Sequence, residues 1–98
     1  MVMNKFSDLV FKETTVPLGI QSIVSYGEYE LSVVKHGSSY GNVNGLYEIG
    51  VFKGDDMVEL PGITEDGDTV KGFLTEESVS GIMTKMVSIS GSDGIQVV

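Results

Sequence analysis

The chain has 98 residues and a mass of 10.5 kDa, 41% apolar and 20% charged, which fits one globular domain over 1–98 with a modest core and no deep enclosed cavity. Fourteen carboxylates oppose six lysines for a net charge of −8, and arginine is absent, so the basic patches that grip DNA, RNA or an anionic membrane are not expected. There is no cysteine, which excludes disulfides, thiolate metal sites and thiol catalysis.

No apolar run approaches the roughly 18 residues of a membrane span, and Met1–Lys5 is too short and polar to read as a signal peptide. A soluble, cytoplasmic domain is expected. Asp8–Thr15 contains Leu9, Val10 and Phe11 ahead of Pro17 and reads as a short edge strand. Ile20–Tyr26 and Tyr29–His36 are richer in β-branched and aromatic residues, with Gly27-Glu28 between them. A two-residue loop with glycine first suits a type II′ turn. That register pairs Tyr26 with Tyr29, Val24 with Leu31 and Ser22 with Val33, each pair on one face. A further strand is expected at Leu46–Lys53, where Tyr47, Ile49 and Val51 share a face. Gly54-Asp55-Asp56 then turns into a short Met57–Leu60 strand that Pro61 ends.

The period changes near the C-terminus. Val79, Ile82, Met83 and Met86 fall at i, i+3, i+4 and i+7, the stripe of an amphipathic helix. Thr75 is placed to cap it, and Glu76 and Glu77 complement its dipole. Leu74 and Val79 have the spacing of a hydrophobic staple, Lys85 lies toward the other end, and Gly91 offers a stop. Ile95–Val98 adds an edge strand or frays. The expected fold is α+β: a four- to five-stranded antiparallel meander with one C-terminal helix packed on one face.

Candidate chemistry is sparse. His36, the one histidine, neighbours Ser38 and Ser39, but a hydrolase triad needs a converging carboxylate and an oxyanion hole, and no G-x-S-x-G elbow occurs. Gly37–Gly45 (GSSYGNVNG) lacks the Gly-Lys-Ser/Thr ending of a phosphate loop. Its length for a hairpin connection suggests a protein-binding loop with Tyr40 as anchor and Asn42 and Asn44 beside it. Residues 1–54 hold five acids and four lysines, a net of −1, whereas residues 55–98 hold nine and two, a net of −7. Asp55, Asp56, Glu65, Asp66 and Asp68 are the candidate contacts of an electronegative ridge. Carboxylates there would stand where phosphates do, steering the chain to a basic protein surface. The same charge also serves simply to keep a small protein soluble. Glu65-Asp66-Gly67-Asp68 does not match the calcium loop of an EF-hand, and no metal or cofactor is expected.

The run Tyr26-Gly27, Leu31-Ser32-Val33-Val34, Ser39-Tyr40-Gly41, Gly45-Leu46-Tyr47-Glu48-Ile49 and Leu74-Thr75-Glu76-Glu77-Ser78-Val79 resembles small proteins encoded by tailed bacteriophages. That resemblance implies no catalytic residues. It implies a non-enzymatic inhibitor, working in the cytoplasm of an infected bacterial host, that blocks a nucleic-acid-processing or defence enzyme by direct contact. The alternative is a self-associating virion structural or assembly accessory, with an edge strand as the route to a homodimer.

Overall fold

The computed structural model describes residues 4–15, 18–36 and 46–97. The expected loop at 37–45, with Tyr40, Asn42 and Asn44, lies outside the described residues, as do Pro17, Val98 and the His36 side chain. The fold is the α+β arrangement expected: an antiparallel sheet with one helix near the C-terminus packed against it. The described residues form seven strands: β1 (Lys12–Thr15), β2 (Leu18–Tyr26), β3 (Tyr29–His36), β4 (Tyr47–Lys53), β5 (Asp56–Met57), β6 (Val70–Leu74) and β7 (Ile95–Val97). Helix α1 (Glu76–Ser90) lies between β6 and β7 in the chain.

Strands β1 to β5 run as a meander, β6 pairs with β4, and β7 pairs with β2. Two short strands therefore share each outer flank of the three long ones. β1 pairs with Leu18–Gln21 of β2 and β7 with Ile23–Ser25. β6 pairs with Tyr47–Gly50 of β4, and β5 with Phe52 and Lys53.

The β2–β3 hairpin has the register expected, with Tyr26 opposite Tyr29, Val24 opposite Leu31 and Ser22 opposite Val33. Gly27 adopts φ +61°, the left-handed value that the first residue of a type II′ turn requires and that glycine reaches without a Cβ clash. Side-chain alternation sends Val24, Tyr26, Leu31, Val33, Tyr47, Ile49 and Val51 to one buried face. Onto that face α1 presents Val79, Ile82, Met83 and Met86, and Ile63 and Leu74 complete the core. The Thr75 hydroxyl accepts from the Ser78 amide at 3.1 Å, capping the helix. Gly91 closes it at φ +70°, its N–H donating to the Val87 carbonyl at 2.9 Å.

Three elements differ from the sequence reading. Residues 6–8 form a 3-10 turn, and strand pairing begins only at Lys12. Leu9 and Phe11 instead pack on the core, and Phe6, Phe11 and Tyr47 form an aromatic cluster with centroids 5.1–5.9 Å apart. The expected Met57–Leu60 strand reduces to Asp56–Met57. It ends before Pro61 because Leu60 starts a turn, its carbonyl accepting from the Ile63 and Thr64 amides at 3.0 Å each. Strand β6 was not anticipated, and Lys85 stands before the last turn of the helix, where it donates to the Gly62 carbonyl at 3.3 Å.

The two ends of the described chain interlock. Asn4 Oδ1 accepts from the Gly94 amide at 2.9 Å, and the Phe6 amide donates to Ser80 Oγ at 2.8 Å. Gln96 bridges the junction where β1 hands the flank of β2 to β7. Its Oε1 accepts from the Val10 amide at 3.1 Å, and its Nε2 donates to the Ile23 carbonyl and to Ser22 Oγ, each at 3.1 Å.

Candidate functional site

The acidic residues come from two stretches of sequence that both bond to the same part of β4, and both groups of the Val51 backbone take part. The Val51 N–H donates to the Thr69 carbonyl at 3.3 Å, while the Val51 carbonyl accepts from the Val58 amide at 2.9 Å. The chain around Asp55, Asp56 and Glu59 is thus pinned to the same point of β4 as the chain around Glu65, Asp66 and Asp68. All six are exposed. They gather along the outer flank of β4, toward the end where the Gly27-Glu28 turn lies and where Glu28 sits 3.6 Å from Lys53.

The segment that presents Glu65, Asp66 and Asp68 has a defined shape, because its apolar and polar anchors both reach inward. Ile63 is fully buried, and Thr64 Oγ1 accepts from the Leu60 amide at 3.0 Å. The Glu65 amide donates to the Val70 carbonyl at 3.0 Å and the Asp68 amide to the Glu65 carbonyl at 2.9 Å. Two carboxylates are engaged within the loop: Glu59 accepts from the Gly67 amide, and Asp68 accepts from the Thr69 amide at 2.7 Å. Asp55, Asp56, Glu65 and Asp66 are left as the outward-facing set, held on backbone whose own bonds are made.

Among the described residues no group of three or more His, Cys, Asp or Glu side chains is placed to hold a metal ion. His36 ends β3 opposite Gly19 of β2, at the far end of that hairpin from the Gly27 turn.

Two features escaped the sequence reading. Phe73 is 63% exposed and has φ +59°, in a bulge of β6 where two residues oppose Glu48. A bulky side chain in left-handed backbone costs roughly 1–2 kcal/mol. A hydropathy pattern cannot reveal that conformation. The second is a notch of about 130 Å³ on the sheet face opposite the helix, lined by Ser32, Val34, Gly50, Phe52, Met57 and Val70 with Glu48 at its rim. The small pair Ser32 and Gly50, directly opposed across β3 and β4, creates it. Only the long-range register brings those two residues together.

No protein-family model, no curated protein and no solved structure matches this chain.

Proposed function

We propose that this protein is a non-enzymatic binding protein that acts by contact with a partner presenting a basic surface. The class of partner that its size, its acidity and its resemblance to phage-encoded proteins favour is a host nucleic-acid-processing or defence enzyme. The observation that carries the reading is the convergence of both acidic segments on Val51. Carboxylates concentrated on one edge generate a directional field, which accelerates encounter with a cationic surface by about 10- to 1,000-fold at low salt. Self-association through a strand edge receives less support, because the outer flank of β2 is divided between a four-residue and a three-residue strand. Short, interrupted edges are poor templates for strand addition.

The test replaces Asp55, Glu65 and Asp66 by lysine, which moves the formal net charge from −8 to −2 and spares the bonded Asp68 and Glu59 carboxylates. Surface plasmon resonance against the partner recovered by affinity capture should show association slowed at least about tenfold. The parent's association should also fall steeply with salt, since charges beyond the ~8 Å Debye length are screened at physiological ionic strength. An association rate that neither salt nor the triple replacement alters would overturn the proposal.

A further inference from the structure

We infer that a second copy of this chain covers the sheet face opposite the helix, on a two-fold axis that runs parallel to the strands between β2 and β3. The cross-strand register orders that face in rows. The middle row runs Val97, Ile23, Ser32, Gly50 and Val70: a large pair, a small pair and a large residue. To one side of it lie Lys12, Gln21, Val34 and Glu48. To the other lie Ile95, Ser25, Glu30, Phe52 and Met57. The small pair forms the notch of about 130 Å³. Ile95 and Met57, 50% and 44% exposed, leave apolar surface uncovered at the two ends of their row. The described side chains of these rows hold one lysine and two glutamates, so the face carries −1 of the chain's −8.

That pattern is complementary to itself. The axis exchanges β2 with β3, and β4 with the flank that β1 and β7 share. Ile23 then stands over Ser32 of the second copy, Val97 over its Gly50 notch, and Lys12 over its Glu48. Stacked sheets keep their strands within about 30° of each other, so these pairings hold near the axis. Large meets small, and lysine meets carboxylate. Glu48 is already engaged within its own chain; Lys12 adds a rim contact that sets register more than affinity. Glu30 stands over the small Ser25, at the border nearest the Gly27 turn, where water reaches it. An axis across the strands would instead bring both acidic flanks to one side of the dimer, against their repulsion. The parallel axis carries them to opposite sides, beyond the overlap and open to a basic partner. The overlap of four strands by three rows spans roughly 19 by 20 Å. That is the small end of specific interfaces, so the dimer is a weak one.

The experiment uses the full chain. Sedimentation equilibrium from about 10 μM to about 1 mM should show a dimer with a dissociation constant on the order of 100 μM. In a mixture of isotope-labelled and unlabelled chains, filtered nuclear Overhauser spectra should join the Ile23 methyls of one copy to Ser32 of the other. They should likewise join the Val97 methyls to the Gly50 α-protons. Gly50→Val fills the notch; a Cβ there would meet the Met57 methyl at 3.0 Å, the movable end of a side chain, and Val70 at 3.5 Å. Dimerisation should weaken about tenfold. Gly50→Val/Val97→Ala, which takes from one side of each contact the volume added to the other, should recover most of it. Damage to the fold alone would not be rescued in this way. Lys12→Glu, at an exposed position, should weaken the dimer a few-fold. Rising salt should tighten it, by screening the repulsion between two chains of −8. The same salt weakens association with a basic partner, so the two readings fail separately. A chain that stays monomeric at about 1 mM, a dimer that salt dissociates, or contacts between copies at α1 or at the strand edges would each overturn the inference. So would a Gly50→Val dimer as tight as the parent's.

Discussion

Gln96→Leu tests whether the junction between the two ends of the chain holds the domain together. Leucine keeps most of the packing and deletes the amide, so the loss is polar. Ser22 is 1% exposed and its Oγ lies 3.1 Å from Gln96 Nε2. Stranding a buried hydroxyl of this kind costs about 1–3 kcal/mol. The Val10 amide, at an exposed residue, recovers water and loses only about 0.5–1.5 kcal/mol. The sum, about 1.5–4.5 kcal/mol, is a large part of the ~5–15 kcal/mol that holds a domain of this size. At about 4–8 °C per kcal/mol the melting temperature should fall by roughly 6–36 °C. Ser22→Ala/Gln96→Leu should cost less than its two single changes added, because removing both partners leaves no orphan. Thermal and urea unfolding followed by far-ultraviolet circular dichroism would read all three variants. A loss below about 1 kcal/mol for Gln96→Leu, or strict additivity in the double variant, would refute the claim that this amide ties the ends together.

Met83, fully buried on the helix stripe, should cost about 2–5 kcal/mol when cut to alanine, whereas Thr75→Ala, which removes the cap, should cost about 1 kcal/mol; urea melts give both, and parity of the two would mean the stripe is not core. The Tyr26 phenol is pushed well above its ordinary value, first by burial and then by the charge of Asp8, and Tyr47 is raised by burial and by Glu76. A raised phenol favours the neutral form in the fold, so its contribution is complete below the unfolded value of about 10 and declines as pH rises above it. Stability measured from pH 8 to 12 should therefore drop above 10, and Tyr26→Phe should flatten the drop; an unchanged slope would assign it to other groups.

What the sequence disclosed depended on how local the determining interaction is. The β2–β3 hairpin is specified by Gly27-Glu28 and by alternation on either side, all between Leu18 and His36. The helix carries its own cap, stripe and stop between Thr75 and Gly91. Both were legible. Strand β6 was not, since Lys71 and Gly72 interrupt any alternation and the segment is ordered by pairing with β4, some 20 residues earlier. Leu9-Val10-Phe11 reads as a strand by composition. Its Val10 amide instead bonds to a side chain 86 residues away, which no local pattern encodes. The acids of the candidate edge were countable one by one; their convergence was not, because it rests on long-range pairing of both segments with β4, including both backbone groups of Val51.

The same distinction bears on what the charge is for. Carboxylates that stabilise a fold are paired or stand in the first turn of a helix, as Glu76 and Glu77 do in α1. The Glu28–Lys53 pair is exposed on both sides, and such pairs contribute little. Asp55, Asp56, Glu65 and Asp66 have neither arrangement. Placing them along one edge raises their mutual repulsion, which the loop offsets with the Leu60–Thr64 and Glu65–Val70 bonds beneath them. Solubility is served as well by dispersed charges, and the proposed steering role draws on their clustering. The backbone instead holds them together and aims them outward. On the proposed reading, an acidic edge of this kind acts on the association rate, which salt and charge reversal read directly.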